Sequence, residues 1–247
     1  MPSVKVPNVE TNEPKPISLG RKSDGTLYQM TLKDMGSLLI GGLSGAGKTG
    51  LLQNLADQAC EQAQVFIVDA KRVGYIGFKE RENCHVITSM EKFPDLLQKT
   101  VQEMNSRYTE MERNKTDVCD KGRILIIVDE FAEAIFALTD NERDQIRQIL
   151  SLGRQCNITM VVATQSPSRR LLSGAIVDMF TTRCALRTSS VYASKIILET
   201  KGAERIPRFS AIFAGVNGFR TQVRLLPPLD QQVEEAYATH DKIEWED

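Results

Sequence analysis

Residues 42–49 read Gly-Leu-Ser-Gly-Ala-Gly-Lys-Thr, and what flanks them narrows the possible folds more than anything else in the chain. An apolar stretch, Ser37 to Gly41, precedes them, and Leu51, Leu52, Leu55, Ala56, Ala59 and Cys60 follow at helical spacing. A strand, a loop matching G-x-x-x-x-G-K-[ST] and an amphipathic helix together make a phosphate-binding loop. The glycines let backbone N–H groups curl around phosphates, and the helix N-terminus adds its partial positive charge. On this reading Gly42, Leu43, Ser44, Gly45, Ala46, Gly47, Lys48, Thr49 and Gly50 hold a nucleotide such as ATP. Lys48 is expected to reach the β and γ phosphates, and Thr49 to offer its hydroxyl to Mg²⁺. Gly50 runs against helix preference by about 1 kcal/mol relative to Ala, which close packing would explain.

The rest of the chain repeats the strand–helix alternation. Short apolar runs at Ser37 to Gly41, Val65 to Val68, Ile124 to Val128, Ile158 to Ala163 and Arg183 to Arg187 predict strands covered on both faces, hence a parallel sheet. Helices are predicted around Leu51 to Cys60, Leu97 to Met111, Asn141 to Leu152 and Val191 to Thr200. Ile17 to Leu32 reads as a β-hairpin turning at Ser23-Asp24-Gly25, and Ala211 to Ala214 and Thr221 to Leu225 as closing strands. The expected organisation is an extended, proline-bearing arm (1–16), one doubly wound α/β domain (17–228) and an acidic tail (229–247).

Ile124 to Val128 runs directly into Asp129 and Glu130. Carboxylates at the C-terminal edge of a strand lie where open α/β sheets bind ligands. Asp129 is expected to orient Mg²⁺, and Glu130 to take a proton from water attacking the γ phosphate. Gln165 ends the following strand in the same way, where an amide could donate to that phosphate.

Composition removes other classes. The chain has 247 residues, 41% hydrophobic and 26% charged, in the ordinary range for a globular protein. Its apolar runs fall far short of the roughly 20 residues that span a bilayer, and the N-terminus lacks a signal-peptide core. Five scattered cysteines and two histidines form no metal-ligand pattern and suggest reduced thiols and a cytoplasmic address. The formal net charge is only −1, but residues 165–224 hold ten basic side chains against three acidic, a balance of +7. That stretch would suit an anionic polymer, and solvated helix faces would account for it as well.

Further segments extend the pattern collinearly. Asp69-Ala70-Lys71-Arg72, Glu103-Met104-Asn105-Ser106-Arg107-Tyr108, Val128-Asp129-Glu130-Phe131-Ala132, Gly153-Arg154, Ala163-Thr164-Gln165-Ser166-Pro167-Ser168, Thr182-Arg183 and Gly202-Ala203-Glu204 follow one another between Ser37 and Arg224. In this order they resemble the motor domain of the FtsK/SpoIIIE family of DNA translocases, within the FtsK/HerA group of ring ATPases. The resemblance implies a RecA-like P-loop NTPase with a central, mostly parallel sheet flanked by helices. It implies a homohexamer that hydrolyses ATP between subunits and moves double-stranded DNA through its pore. Lys48, Thr49, Asp129, Glu130 and Gln165 would then serve the subunit's own nucleotide, and Arg154 or Arg183 would reach the neighbour's γ phosphate. Arg169 and Arg170, with Lys115, Lys121 and Arg123, would grip DNA phosphates without reading sequence.

Ala70 stands where the family has proline, and the chain has neither membrane segments before the motor nor a DNA-reading module after it. An excised motor or a small stand-alone relative is expected, cytoplasmic unless a membrane or recruiting partner outside this chain draws it elsewhere. Chromosome, plasmid, mobile-element and viral DNA all stay open as substrates. Two other readings remain: a protein-secretion ATPase of the type VII kind, and a nucleotide-gated assembly module.

Overall fold

Period-two alternation in the strands divides this chain into two cores. In the computed structural model, Leu38 and Ile40 pack on one face of the sheet while Leu39 packs on the other. The structure describes residues 15–165, 167–168, 170, 172, 174–215, 217–227 and 229. Almost all of the expected arm and acidic tail lies outside the described residues.

In chain order the elements are β1 (Ile17–Arg21), β2 (Leu27–Met30), α1 (Leu32–Met35), β3 (Leu38–Gly41), α2 (Lys48–Ala59), β4 (Ala63–Val68), β5 (Cys84–Ile87) and α3 (Phe93–Asn114). There follow β6 (Arg123–Val128), α4 (Phe131–Phe136), α5 (Asp140–Leu152), β7 (Ile158–Thr164), α6 (Gly174–Val177), β8 (Thr182–Leu186), α7 (Val191–Leu198), β9 (Ser210–Gly215) and β10 (Arg220–Leu225). They build one ten-stranded sheet in the order β2-β1-β10-β9-β8-β3-β7-β6-β4-β5. From β8 to β5 the pairing is parallel, and β9, β10, β1 and β2 add an antiparallel wing. The fold is α/β and RecA-like, with a mostly parallel sheet between helical layers. On one face α3, α4, α5 and α7 supply core residues such as Phe93, Phe131, Ile149 and Ile197, and on the other α1 and α2 supply Met35, Leu51, Leu52 and Leu55.

The expected hairpin is present, but its second strand stops at Met30. Thr31 caps a short helix instead, accepting from Asp34 N at 3.1 Å. Four elements were not expected: α1, β5, α4 and α6. β5 escapes notice because its sequence, Cys-His-Val-Ile, has only one fully buried residue. α4 is too short for helical periodicity to register. α7 ends before Thr200 because Glu199 is left-handed at φ 61° and breaks the helix there.

Three contacts fasten the antiparallel wing to the helix that carries the phosphate-binding loop. Gln58 accepts from Ser18 N at 2.8 Å and donates to Ser18 O at 3.0 Å, and Asn54 Nδ2 donates to Pro227 O at 2.8 Å.

On the far side Arg107, 2% exposed, ties α3 to the entrances of two central strands. Its Nη1 donates to Gly122 O at 2.9 Å and Cys156 O at 2.7 Å, and its Nε to Glu103 at 2.8 Å. This arginine belongs to the collinear pattern, and here it is a strut at the sheet edge opposite the loop. Arg107→Ala is expected to remove about 3 kcal/mol or more of stability by stranding buried carbonyls and opening a cavity. Urea unfolding measures that loss, while nucleotide affinity of the folded protein should stay near its original value.

Candidate nucleotide site

The loop after β3 is held from both sides before it curls. Gly42 N donates to Thr164 O of β7 at 3.3 Å, and Leu43 N to the carbonyl of Arg187, just past β8, at 2.8 Å. Gly45 (φ 71°) and Gly47 (φ 106°) then take backbone conformations that a side chain would strain, which is why glycine is needed at both. α2 starts at Lys48 and directs its N-terminus into the loop.

Lys48 is 6% exposed and folds back on the loop, its Nζ donating to the carbonyls of Gly42 and Leu43 at 2.8 Å each. Burial pushes its ammonium down to about 8; the Lys71 charge adds to the fall, and Glu130 and Asp129 oppose it. The acids end β6, two strands from β3, with β7 between. Thr49 Oγ1 lies 3.4 Å from Asp129 Oδ1, so both expected metal residues meet. Burial raises the Asp129 pKa, while Lys71 pulls it down. Both Glu130 oxygens accept from Gln165 N at 3.3 Å, and Lys71 Nζ is 3.9 Å from Glu130 Oε2. The catalytic candidates of one subunit therefore converge at a single sheet edge. Side-by-side threonine and aspartate oxygens in a shielded cleft suit a hard cation such as Mg²⁺, which prefers oxygen.

Sequence reasoning quoted Asp69 within a motif without giving it a role, and it missed Gly74 and Tyr75 beside these groups. Asp69 is 1% exposed and its carboxylate accepts from Lys71 N, Arg72 N and Gly74 N at 3.0–3.2 Å. The signal for Asp69 was available, because it ends β4 as Asp129 ends β6. Tyr75 carries no such signal.

The remaining candidates lie elsewhere. Arg154 is exposed at the entrance to β7, the edge opposite the loop, and its Nε donates to Lys33 O at 3.2 Å. Arg183, near the entrance to β8, is locked to Glu199 at 2.8 Å and Asp178 at 3.1 Å. Among the described residues, neither forms a hydrogen bond or ion pair with the phosphate-binding loop. Of the DNA candidates, Arg170 and Lys115 are exposed, Lys121 pairs with Glu110 at 2.8 Å, and Arg123 is half-buried. Arg169 lies outside the described residues.

Comparison with known proteins bears on the family and the fold. The model of the AAA domain family matches residues 31–172. DNA translocase FtsK of Streptomyces avermitilis is 27% identical over 80% of this chain, and that of Helicobacter pylori 26% over 95%. The chain spans only 25% and 29% of those two proteins. Among solved structures, the conjugation coupling protein TcpA of pCW3 with ATPγS superposes with a TM-score of 0.76 at 20% identity, covering 91% of this chain and 69% of that one. The cytoplasmic domain of the Thermomonospora curvata type VII secretion ATPase EccC gives 0.72 at 19%, covering 88% and 29%. These two likenesses concern the fold. The resemblance to the FtsK motor seen in the sequence is thereby borne out.

Phosphate oxygens reaching Lys48 should restore its ammonium toward the ordinary lysine range. Nucleotide binding above about pH 8 is then expected to take up most of one proton, and affinity to fall as pH rises further. At pH 7 the amine is already charged and no uptake is expected. Calorimetry in two buffers of different ionisation enthalpy measures this, and equal heats at pH 9 would refute the shift.

Proposed function

Because this chain belongs to the AAA domain family and is an ATPase, we propose that it is the motor of a double-stranded DNA translocase working as a homohexameric ring. The observation that carries the DNA reading is its similarity to FtsK translocases along 80% and 95% of its length. The basic balance of +7 over residues 165–224 supports it. The motor comprises residues 17–228, the arm and acidic tail being accessory, and it works in the cytoplasm.

In this reading the backbone from Gly42 to Gly50 wraps the ATP phosphates, and Lys48 leaves its two loop carbonyls for the β and γ oxygens. Thr49 and Asp129 would hold Mg²⁺, which would supply neutralisation of phosphate charge. Glu130 takes the proton of the attacking water. Its hydrogen bond to Gln165 N keeps that carboxylate oriented, and the Gln165 amide contacts the γ phosphate. Arg154 or Arg183 completes the site of the adjacent subunit, a guanidinium matching phosphate oxygens in pairs. Arg169, Arg170, Lys115, Lys121 and Arg123 grip the DNA backbone.

Steady-state ATP hydrolysis with and without long double-stranded DNA, at two salt concentrations, tests the function. Stimulation that grows with DNA length and fades with salt is expected. Turnover indifferent to DNA would favour a polypeptide substrate, and absence of turnover a nucleotide-gated switch. Glu130→Gln should lower turnover by about 100-fold or more while retaining ATP. Hydrolysis at the parental rate would remove Glu130 from its role. In mixtures, Lys48→Ala protein should regain turnover with an Arg154→Ala or Arg183→Ala partner only if the arginine acts across subunits.

A further inference from the structure

Tyr75 is 1% exposed, and its hydroxyl oxygen is buried without a hydrogen-bond partner. A buried hydroxyl left unsatisfied is costly, and its neighbours indicate what could satisfy it. Burial raises its pKa well above the ordinary value, the Asp129 and Asp69 charges raise it further, and an approach to the Asp129 carboxylate too loose for a full hydrogen bond adds to the rise.

The loop that carries Tyr75 is pinned from two directions. Asp69 holds the N–H groups of Lys71, Arg72 and Gly74, and Gln53 of α2 donates to Gly74 O at 2.6 Å. Arg72 takes a left-handed φ of 65° to close the turn. Gly74 borders the cleft itself. A Cβ there would stand 3.3 Å from Thr49 Cγ2 and 4.0 Å from a carboxylate oxygen of each of Asp129 and Asp69. The strand end, the loop helix and Asp69 thus fix the backbone that leads into Tyr75 beside the space that Thr49 and Asp129 share.

We propose that Tyr75 is a positioning residue for the metal: its hydroxyl accepts from a water of the hydration shell of the Mg²⁺ that accompanies the nucleotide, and donates its own proton to Asp129. The inference rests on the assignment of Thr49 and Asp129 to that ion. Mg²⁺ loses water reluctantly and keeps several waters when bound, and those waters need acceptors where bulk solvent is shut out. Asp69 is engaged with backbone N–H groups, which leaves the tyrosine oxygen for this task. Partners of this outer shell typically matter about 10- to 100-fold in metal affinity.

The test uses Mn²⁺ with ADP, free Mn²⁺ being counted by its paramagnetic resonance signal. Tyr75→Phe is expected to weaken Mn²⁺ binding to the ADP complex by roughly tenfold. ADP binding in EDTA should be unchanged, and the Tm of the nucleotide-free protein unchanged or higher, since an unpartnered hydroxyl is removed. A purely structural hydroxyl would lower Tm and leave Mn²⁺ affinity alone, which would overturn the proposal. Gly74→Ala, whose added methyl enters the same cleft, should weaken Mn²⁺ binding with both side-chain partners intact. If both variants bound Mn²⁺ as the parent does, the proposal would fail while the Thr49 and Asp129 assignment stood. If the parent bound ADP without Mn²⁺, that assignment would fall and take this inference with it.

Discussion

Two backbone hydrogen bonds, Gly42 N to Thr164 O and Leu43 N to Arg187 O, set the geometry on which the rest of the site depends. They carry the sheet's bonding past the end of β3, by one residue toward β7 and by two toward β8, so the glycine loop leaves from a fixed point between those strands. Because β7 sits between β3 and β6, the acids of β6 stand one strand away from the loop's immediate neighbour. Gln165, just past the intervening strand, donates its own N–H to Glu130 and ties the acids to that strand.

The electrostatics follow from burial at that edge. Lys48, Asp129 and Glu130 are each 5–6% exposed, so neither sign of charge is well solvated. Desolvation depresses the Lys48 amine and raises the Asp129 carboxyl. Each shift destabilises the charged form, and a bound polyanion with its cation would reverse both. The lysine is held on two loop carbonyls, acceptors that phosphate oxygens could replace.

Much of this was legible in the sequence because the constraints are local. Leu38 to Ile40 and Ile124 to Val128 had to be covered strands, and the glycine spacing with Lys48 and Thr49 had one sensible arrangement. The acids Asp129 and Glu130 could be located from the strand that precedes them. What stayed hidden depends on tertiary approach. β5 offers a single fully buried residue and pairs with β4 alone. Tyr75 is brought to its buried place by the turn that Asp69 closes, and nothing in residues 73–75 announces its burial there. Arg107 was legible as part of a family pattern but not as a strut, since the carbonyls it holds, on Gly122 and Cys156, are remote in sequence.

The two arginines proposed to act across subunits differ in what each must release. Arg183 is 12% exposed at its side chain and holds both Glu199 and Asp178, joining the segment after α6 to the end of α7 through β8. Both carboxylates are 65% exposed, so water could solvate them if it left. Its guanidinium would nevertheless have to break two ion pairs and quit a nearly buried position before meeting a phosphate. Arg154 has a single 3.2 Å hydrogen bond to Lys33 O and stands in solvent. Its planar, permanently charged head can extend with little to give up. The exchange therefore favours Arg154 as the arginine that reaches outward, with Arg183 as the brace that keeps β8 and α7 in register behind the loop.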